Sequence, residues 1–111
     1  MNIKLSKKEI ERFSRQIILK NIGILGQKKI LNSKVLIIGM GGLGCPVAEF
    51  LTRSGVGTLG IVDDDIVNVS NIHRQSLYSE KDLNKFKVNV AQKKLKNINP
   101  KTKVNIFALK F

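Results

Sequence analysis

The sequence predicts an α/β fold built on a parallel sheet, and three observations carry that expectation. An apolar run from Val35 to Ile38 is followed at once by Gly39, Gly41, Gly42 and Gly44, and then by a helical pattern from Cys45 to Arg53. A second apolar run, Thr58 to Val62, ends in Asp63. A third run, Thr102 to Leu109, alternates and is partly β-branched, as a strand should be. Strands and helices alternate in this order, so the crossovers are right-handed and the strands parallel.

Each element has a local cause. Ser6 and Glu9 form a capping box, and Ile10, Phe13, Ile17 and Ile18 follow at helical spacing. This predicts a helix from Lys7 to Lys20. Gly23 and Gly26 should break it, leaving a short helix from Gln27 to Leu31 and then Asn32-Ser33 before the first strand. The first strand is expected inside the sheet, with the glycine loop at its carboxyl end. Asp63-Asp64-Asp65 opens a loop that runs to Ser79, where Ser79 and Asp82 repeat the capping pattern. A helix from Asn84 to Asn97 should place Val88, Ala91, Leu95 and Ile98 on one face. Asn99-Pro100 ends it, because proline disfavours helix in the residue before it. Residues 1–33 read as an N-terminal helical extension, and residues 34–111 as the first three strands of a Rossmann-like domain with helices on both faces of its sheet.

With 111 residues the chain is at most one small domain. A complete doubly wound domain needs more than three strands, so the expectation is the N-terminal piece of a longer protein or half of an assembly. The net charge is +12, but the lysines are spread over every segment and aromatic residues are few. No nucleic-acid partner is inferred from that charge. Cys45 is the single cysteine, which excludes an internal disulfide. It is read as a small residue packed beside the loop rather than a reactive thiol. No run is long enough to span a membrane, and Lys4, Lys7 and Lys8 are not followed by the apolar stretch of a signal peptide. A cytoplasmic protein with no membrane partner is expected.

The chemistry gathers around the glycines. Between a strand and a helix, Gly39, Gly41, Gly42 and Gly44 let backbone N–H groups approach a phosphate, and the helix N-terminus adds its positive dipole. Asp63 at the end of the next strand can accept from ribose hydroxyls. An adenine nucleotide is the expected ligand. The loop after Asp63 carries Ser70, Asn71, Arg74 and Gln75 in close succession. Arginine suits bidentate phosphate contact, and the amides add neutral donors. Lys87 follows where the next helix begins, although position alone gives it no distinction among the lysines. No residue of the chain is assigned as a metal ligand.

Taken together, Arg12-Phe-Ser-Arg15-Gln16, Gly39-Met-Gly-Gly-Leu-Gly44, Gly55-Val-Gly57, Asp63-Asp-Asp65, Ser70-Asn-Ile-His-Arg74-Gln75, Lys87 and Asn99-Pro100 resemble the N-terminal half of the ThiF/MoeB/HesA adenylyltransferases. These are bacterial relatives of ubiquitin-activating enzymes. The resemblance implies an ATP-dependent adenylation of the C-terminal glycine of a small ubiquitin-like sulfur-carrier protein of the ThiS or MoaD kind. It implies that Gly42 lies against the nucleotide and that Asp63 holds the ribose. Ser70, Asn71 and Arg74 would contact the phosphates, Gln75 would support that loop, and Lys87 would neutralise phosphate charge. Arg15 would reach the neighbouring site of a homodimer. Arg15, Asn71, Arg74 and Lys87 are the catalytic candidates. The resemblance also implies Mg2+, whose aspartate would lie beyond residue 111, and zinc in that same outlying half. A catalytically inactive remnant that keeps the loop for nucleotide binding or dimerisation is the alternative.

Overall fold

The computed structural model describes residues 4–110. The outer limits of the two expected segments, residues 1–3 and residue 111, lie outside the described residues. Ser6 caps helix α1 (Lys7–Arg12) as the sequence predicts: Glu9 N–H donates to Ser6 Oγ and Ser6 N–H to Glu9 Oε1, each at 3.1 Å. The helix does not run on to Lys20. It breaks at Phe13 (φ −102°, ψ 15°) and resumes as the single turn α2 (Ser14–Ile17). The reason is tertiary. Phe13 is fully buried, and its ring fills the space over Gly55, where a Cβ would meet Phe13 Cζ at 2.8 Å.

Helix α3 spans Gly23–Leu31, starting four residues before the expected Gln27, and Gly26 lies inside it rather than ending it. The longer helix delivers Gln27, which is fully buried, to a small amide network. Gln16 Nε2 donates to Gln27 Oε1 at 2.8 Å, and both amides donate to Ser54 O at 3.0 Å. Ser54 is the last residue of helix α4 (Gly44–Ser54), so the two glutamines satisfy a carbonyl that the helix end leaves without a partner.

Strands β1 (Lys34–Ile38), β2 (Thr58–Val62) and β3 (Lys103–Phe107) form one parallel sheet in the order β1-β2-β3. Among the described residues β2 is therefore central and β1 lies at an edge, which corrects the expectation that β1 sits inside. Both crossovers step in the same direction, so each new strand is added on the same side. Helices α4 and α5 (Lys87–Ile98) bridge those steps and pack on one face. There Ile37, Leu59, Ile61 and Val104 meet Cys45, Ala48, Val88, Ala91 and Leu95 in the core. The other face turns Leu36, Ile38 and Phe107 toward solvent around Gly60.

Helix α5 begins at Lys87, three residues later than Asn84. Asn84 takes a left-handed conformation (φ 68°), and residues 80–82 form a separate turn, with Ser79 N–H donating to Asp82 Oδ2 at 2.8 Å. The residues before α5 are instead stapled to the loop after β2. Ile66 and Phe86 form an antiparallel bridge, flanked by Val67 N–H to Lys85 O at 2.9 Å and Lys87 N–H to Asp65 O at 3.0 Å. The helix ends at Ile98, ahead of Asn99-Pro100, as expected. No helix among the described residues is long and apolar enough to cross a membrane.

A Cβ on Gly57 would lie 1.9 Å from Leu31 O, so the turn that delivers β2 has no room for alanine. Gly57→Ala is expected to cost about 2–3 kcal/mol in urea denaturation. Gly23→Ala meets open space but a φ of +57°, and should cost only about 1 kcal/mol.

Candidate functional site

The loop after β1 is held by its own backbone. Gly39 takes φ 95° and donates its N–H to Val62 O at 2.7 Å. Met40 is fully buried and is held at both ends of its backbone. Its N–H donates to Asp63 Oδ2 at 2.7 Å, while its carbonyl accepts from Tyr78 Oη at 2.6 Å and from Cys45 Sγ at 3.3 Å. Gly44 closes the loop where only glycine fits, because a Cβ there would lie 1.9 Å from Gly39 O. The N–H groups of Gly41 and Gly42 make no backbone hydrogen bond among the described residues. They stand ahead of the N-terminus of α4, a place suited to an anion.

Two distant segments converge on those glycines. A Cβ on Gly42 would meet Arg74 Nη1 at 3.6 Å, and one on Gly41 would meet Gln75 Nε2 at 3.6 Å. Arg74 is exposed, whereas Gln75 is buried and its Oε1 has no partner among the described residues. The turn Val69–Asn71 sets up this pair. Asn71 O accepts from Gln75 N–H at 2.8 Å, and Asn71 Oδ1 accepts from Asn68 N–H at 3.1 Å. Asn71 is thus buried as a strut of the loop through its carbonyl groups, while Ser70 beside it is exposed.

Asp63 joins the site through Met40 and through Asp65, whose N–H donates to Asp63 Oδ1 at 2.7 Å. Lys87 lies beside them. Its side chain is only 6% exposed, and its Nζ is 3.8 Å from Asp65 Oδ2. A buried ammonium with one loose carboxylate partner is rare, and this burial separates Lys87 from the solvated lysines. Asp63, Asp64 and Asp65 hold carboxylate oxygens within 4.8 Å of one another. Asp63 already accepts two backbone N–H groups and Asp65 faces Lys87, so this cluster organises the loop.

Arg15 stands apart. It is exposed on α2, next to Gln16, which is bonded to the C-terminal end of α4. The glycine loop is at the other end of that helix, roughly 16 Å away for eleven residues at 1.5 Å each. The sequence pattern did not single out Met40, Tyr78 or Asp65. Burial raises the Cys45 thiol above its ordinary range, against the Tyr78 hydrogen bond that lowers it. Burial likewise pushes Tyr78 well above the phenol range, with Cys45 and nearby acids adding to the shift. Both groups stay protonated donors to Met40, which fits the reading of Cys45 as a packed residue.

A model described as the ThiF family matches residues 13–111. A "Probable molybdopterin-synthase adenylyltransferase" from Gracilaria tenuistipitata var. liui is 44% identical over 96% of this chain and 30% of its own length. The "Adenylyltransferase and sulfurtransferase uba4" of Aspergillus niger is 50% identical over 89% of this chain and 20% of its own. A crystal structure of E. coli MccB with ATP superposes with a TM-score of 0.82 at 34% identity, covering 89% of this chain and 31% of that one. The chain thus spans about a fifth to a third of the proteins it matches.

A Cβ on Gly42 would meet only Arg74 Nη1, at an ordinary 3.6 Å, and any side chain there would stand between the loop amides and the guanidinium. Gly42→Val is expected to leave the melting temperature nearly unchanged while abolishing ATP binding in calorimetry. Retained ATP affinity would remove the glycine loop from the site.

Proposed function

We propose a function from one premise: the chain belongs to the ThiF family. Within its natural protein this segment supplies the nucleotide-binding half of an adenylyltransferase site. The substrates are ATP and the C-terminal glycine of a small ubiquitin-like sulfur-carrier protein. The observation that carries this reading is the convergence of Arg74 and Gln75 on Gly42 and Gly41. It builds a cationic, amide-lined mouth at the carboxyl edge of a parallel sheet, where such folds take their ligands.

The chemistry follows from charge. Attack of a carboxylate on the α-phosphate of ATP forms an acyl-adenylate and expels pyrophosphate, and negative charge spreads over the phosphate oxygens on the way. Donors and cations placed in advance stabilise that charge without reorganising. The N–H groups of Gly41 and Gly42, the Arg74 guanidinium and the Lys87 ammonium are such groups here. Asp63 has lone pairs remaining on both oxygens for ribose hydroxyls, with Met40 and Asp65 N–H fixing its orientation. Ser70 Oγ and the Asn71 amide N–H groups add neutral donors beside them. Mg2+ would supply further neutralisation of phosphate charge when bound, held by an aspartate outside these residues, and a zinc site would belong to that same outlying part.

The protein acts as a cytoplasmic homodimer, with Arg15 serving the neighbouring subunit. The roughly 16 Å length of α4 between Gln16's partner Ser54 and the glycine loop supports this reading. The apolar surface around Arg15 supports it too, since Ile18, Leu19 and Leu25 on or beside α2 and α3 are all exposed.

In the naturally encoded full-length protein, Arg74→Ala or Lys87→Ala is expected to cut carrier-dependent ATP–pyrophosphate exchange by roughly tenfold or more, at 1.5–3 kcal/mol per charged contact. Lys101→Ala, which removes only a surface pair with Glu9, should change it little. Equal losses in all three would remove Arg74 and Lys87 from the reaction. Mixing inactive Arg15→Ala and Lys87→Ala proteins should restore exchange in the heterodimers, since one of their two sites keeps both groups. No recovery after verified subunit exchange would place Arg15 outside the neighbour's site.

A further inference from the structure

We infer that Asp65 is a positioning residue that keeps the Lys87 ammonium aimed into the nucleotide site before any phosphate arrives. The inference rests on the nucleotide-binding reading above and deepens it. Asp65 touches both ends of the site through three contacts. Its N–H donates to Asp63 Oδ1 at 2.7 Å, its carbonyl accepts Lys87 N–H at 3.0 Å, and its Oδ2 lies 3.8 Å from Lys87 Nζ.

The two partners are unequal. The Lys87 side chain is 6% exposed and that of Asp65 is 68% exposed. A lysine left buried without a counter-charge would turn its flexible stem outward to reach water. Among the described residues Asp65 is the one carboxylate within ion-pair distance of Lys87 Nζ. At 3.8 Å the pair is loose enough for a phosphate oxygen to replace the carboxylate at the ammonium, while the Asp65 carboxylate remains in solvent. The backbone staple between residues 65–67 and 84–87 fixes the distance from which this exchange takes place. Asp65 thereby lowers the ordering cost that ATP would otherwise bear when it recruits Lys87, as preorganisation does generally.

The test uses the naturally encoded full-length protein, with ATP and adenosine as probes in calorimetry. Asp65→Asn is expected to weaken ATP binding about tenfold, equivalent to roughly 1.4 kcal/mol, and to leave adenosine binding unchanged because adenosine carries no phosphate for Lys87. In a Lys87→Met background the same substitution should have no effect on ATP. Asp65→Glu, which keeps the carboxylate, should retain most of the ATP affinity. Unchanged or tighter ATP binding by Asp65→Asn would overturn the inference and leave the nucleotide site standing. Equal weakening for ATP and adenosine would show a merely structural role and overturn it as well. Failure of the unsubstituted protein to bind ATP would overturn the nucleotide site itself, and this inference with it.

Discussion

The peptide unit of Met40 is the constraint on which the rest of the site depends. Asp63 grips its N–H from a half-buried position, and Tyr78 and Cys45 share its carbonyl in a fully buried one. These three partners come from the end of β2, the loop that follows it and the first turn of α4. One residue of the β1–α4 loop is thus tied to the end of β2, to the loop after it and to α4. The two bonds to the carbonyl are made where water cannot compete, so an orphaned partner there would bear its full desolvation cost. With Met40 fixed, the neighbouring glycines are held in place and their N–H groups need no partner from the protein. The fold satisfies the residue beside the cradle so that the cradle itself can stay unsatisfied.

The charge of the chain acts differently at different distances. A net +12 raises the local concentration of any anion, but it selects none. Selection needs cations whose positions are set in advance. Most of the lysines are solvated, and those that pair do so at the surface, as Lys101 does with Glu9. Lys87 is buried, and its backbone N–H is bonded to the same residue that its ammonium faces. Arg74 is exposed but lies over Gly42. Position, rather than charge as such, separates these two from the background: burial beside Asp65 for Lys87, and closeness to the unsatisfied amides for Arg74.

The parts legible in the sequence were those with short-range causes. The three strands, the glycine loop, the capping box at Ser6 and the end of α5 at Asn99-Pro100 all follow from apolar runs, glycine and proline. The parts that were not legible depend on distant partners. Phe13 leaves the helical path because Gly55, far along the chain, offers its ring a pocket. Gln27 extends α3 because Gln16 and Ser54 await its amide. The edge position of β1 is a property of strand order, to which no local pattern is sensitive. The same division runs through the site. Gly39 to Gly44, Asp63, Arg74 and Gln75 could be named from type and spacing, and Lys87 only from the family resemblance. The burial of Lys87 and the convergence of Arg74 and Gln75 on the glycines needed three dimensions. Asp65 stood in plain view within an acidic triplet, but spacing could not say which of three adjacent carboxylates faces the lysine.

The amide network at the far end of α4 sets a geometric limit on Arg15. Gln16 and Gln27 both donate to Ser54 O, so α2 and α3 are tied to the C-terminal end of the helix whose N-terminal end forms the site. Arg15 precedes Gln16 in a single helical turn and shares that tether. An extended arginine side chain reaches about 7 Å, less than half the roughly 16 Å that α4 spans at 1.5 Å per residue. For Arg15 to reach its own glycine loop, α2 would have to release Ser54 O and the buried Gln27 Oε1, at a cost of about 1–3 kcal/mol for the buried oxygen left unpaired. No such cost attends a neighbouring subunit that brings its own loop to the exposed face of α2. The interactions that fix the N-terminal helices within the chain are therefore the same ones that direct Arg15 away from it.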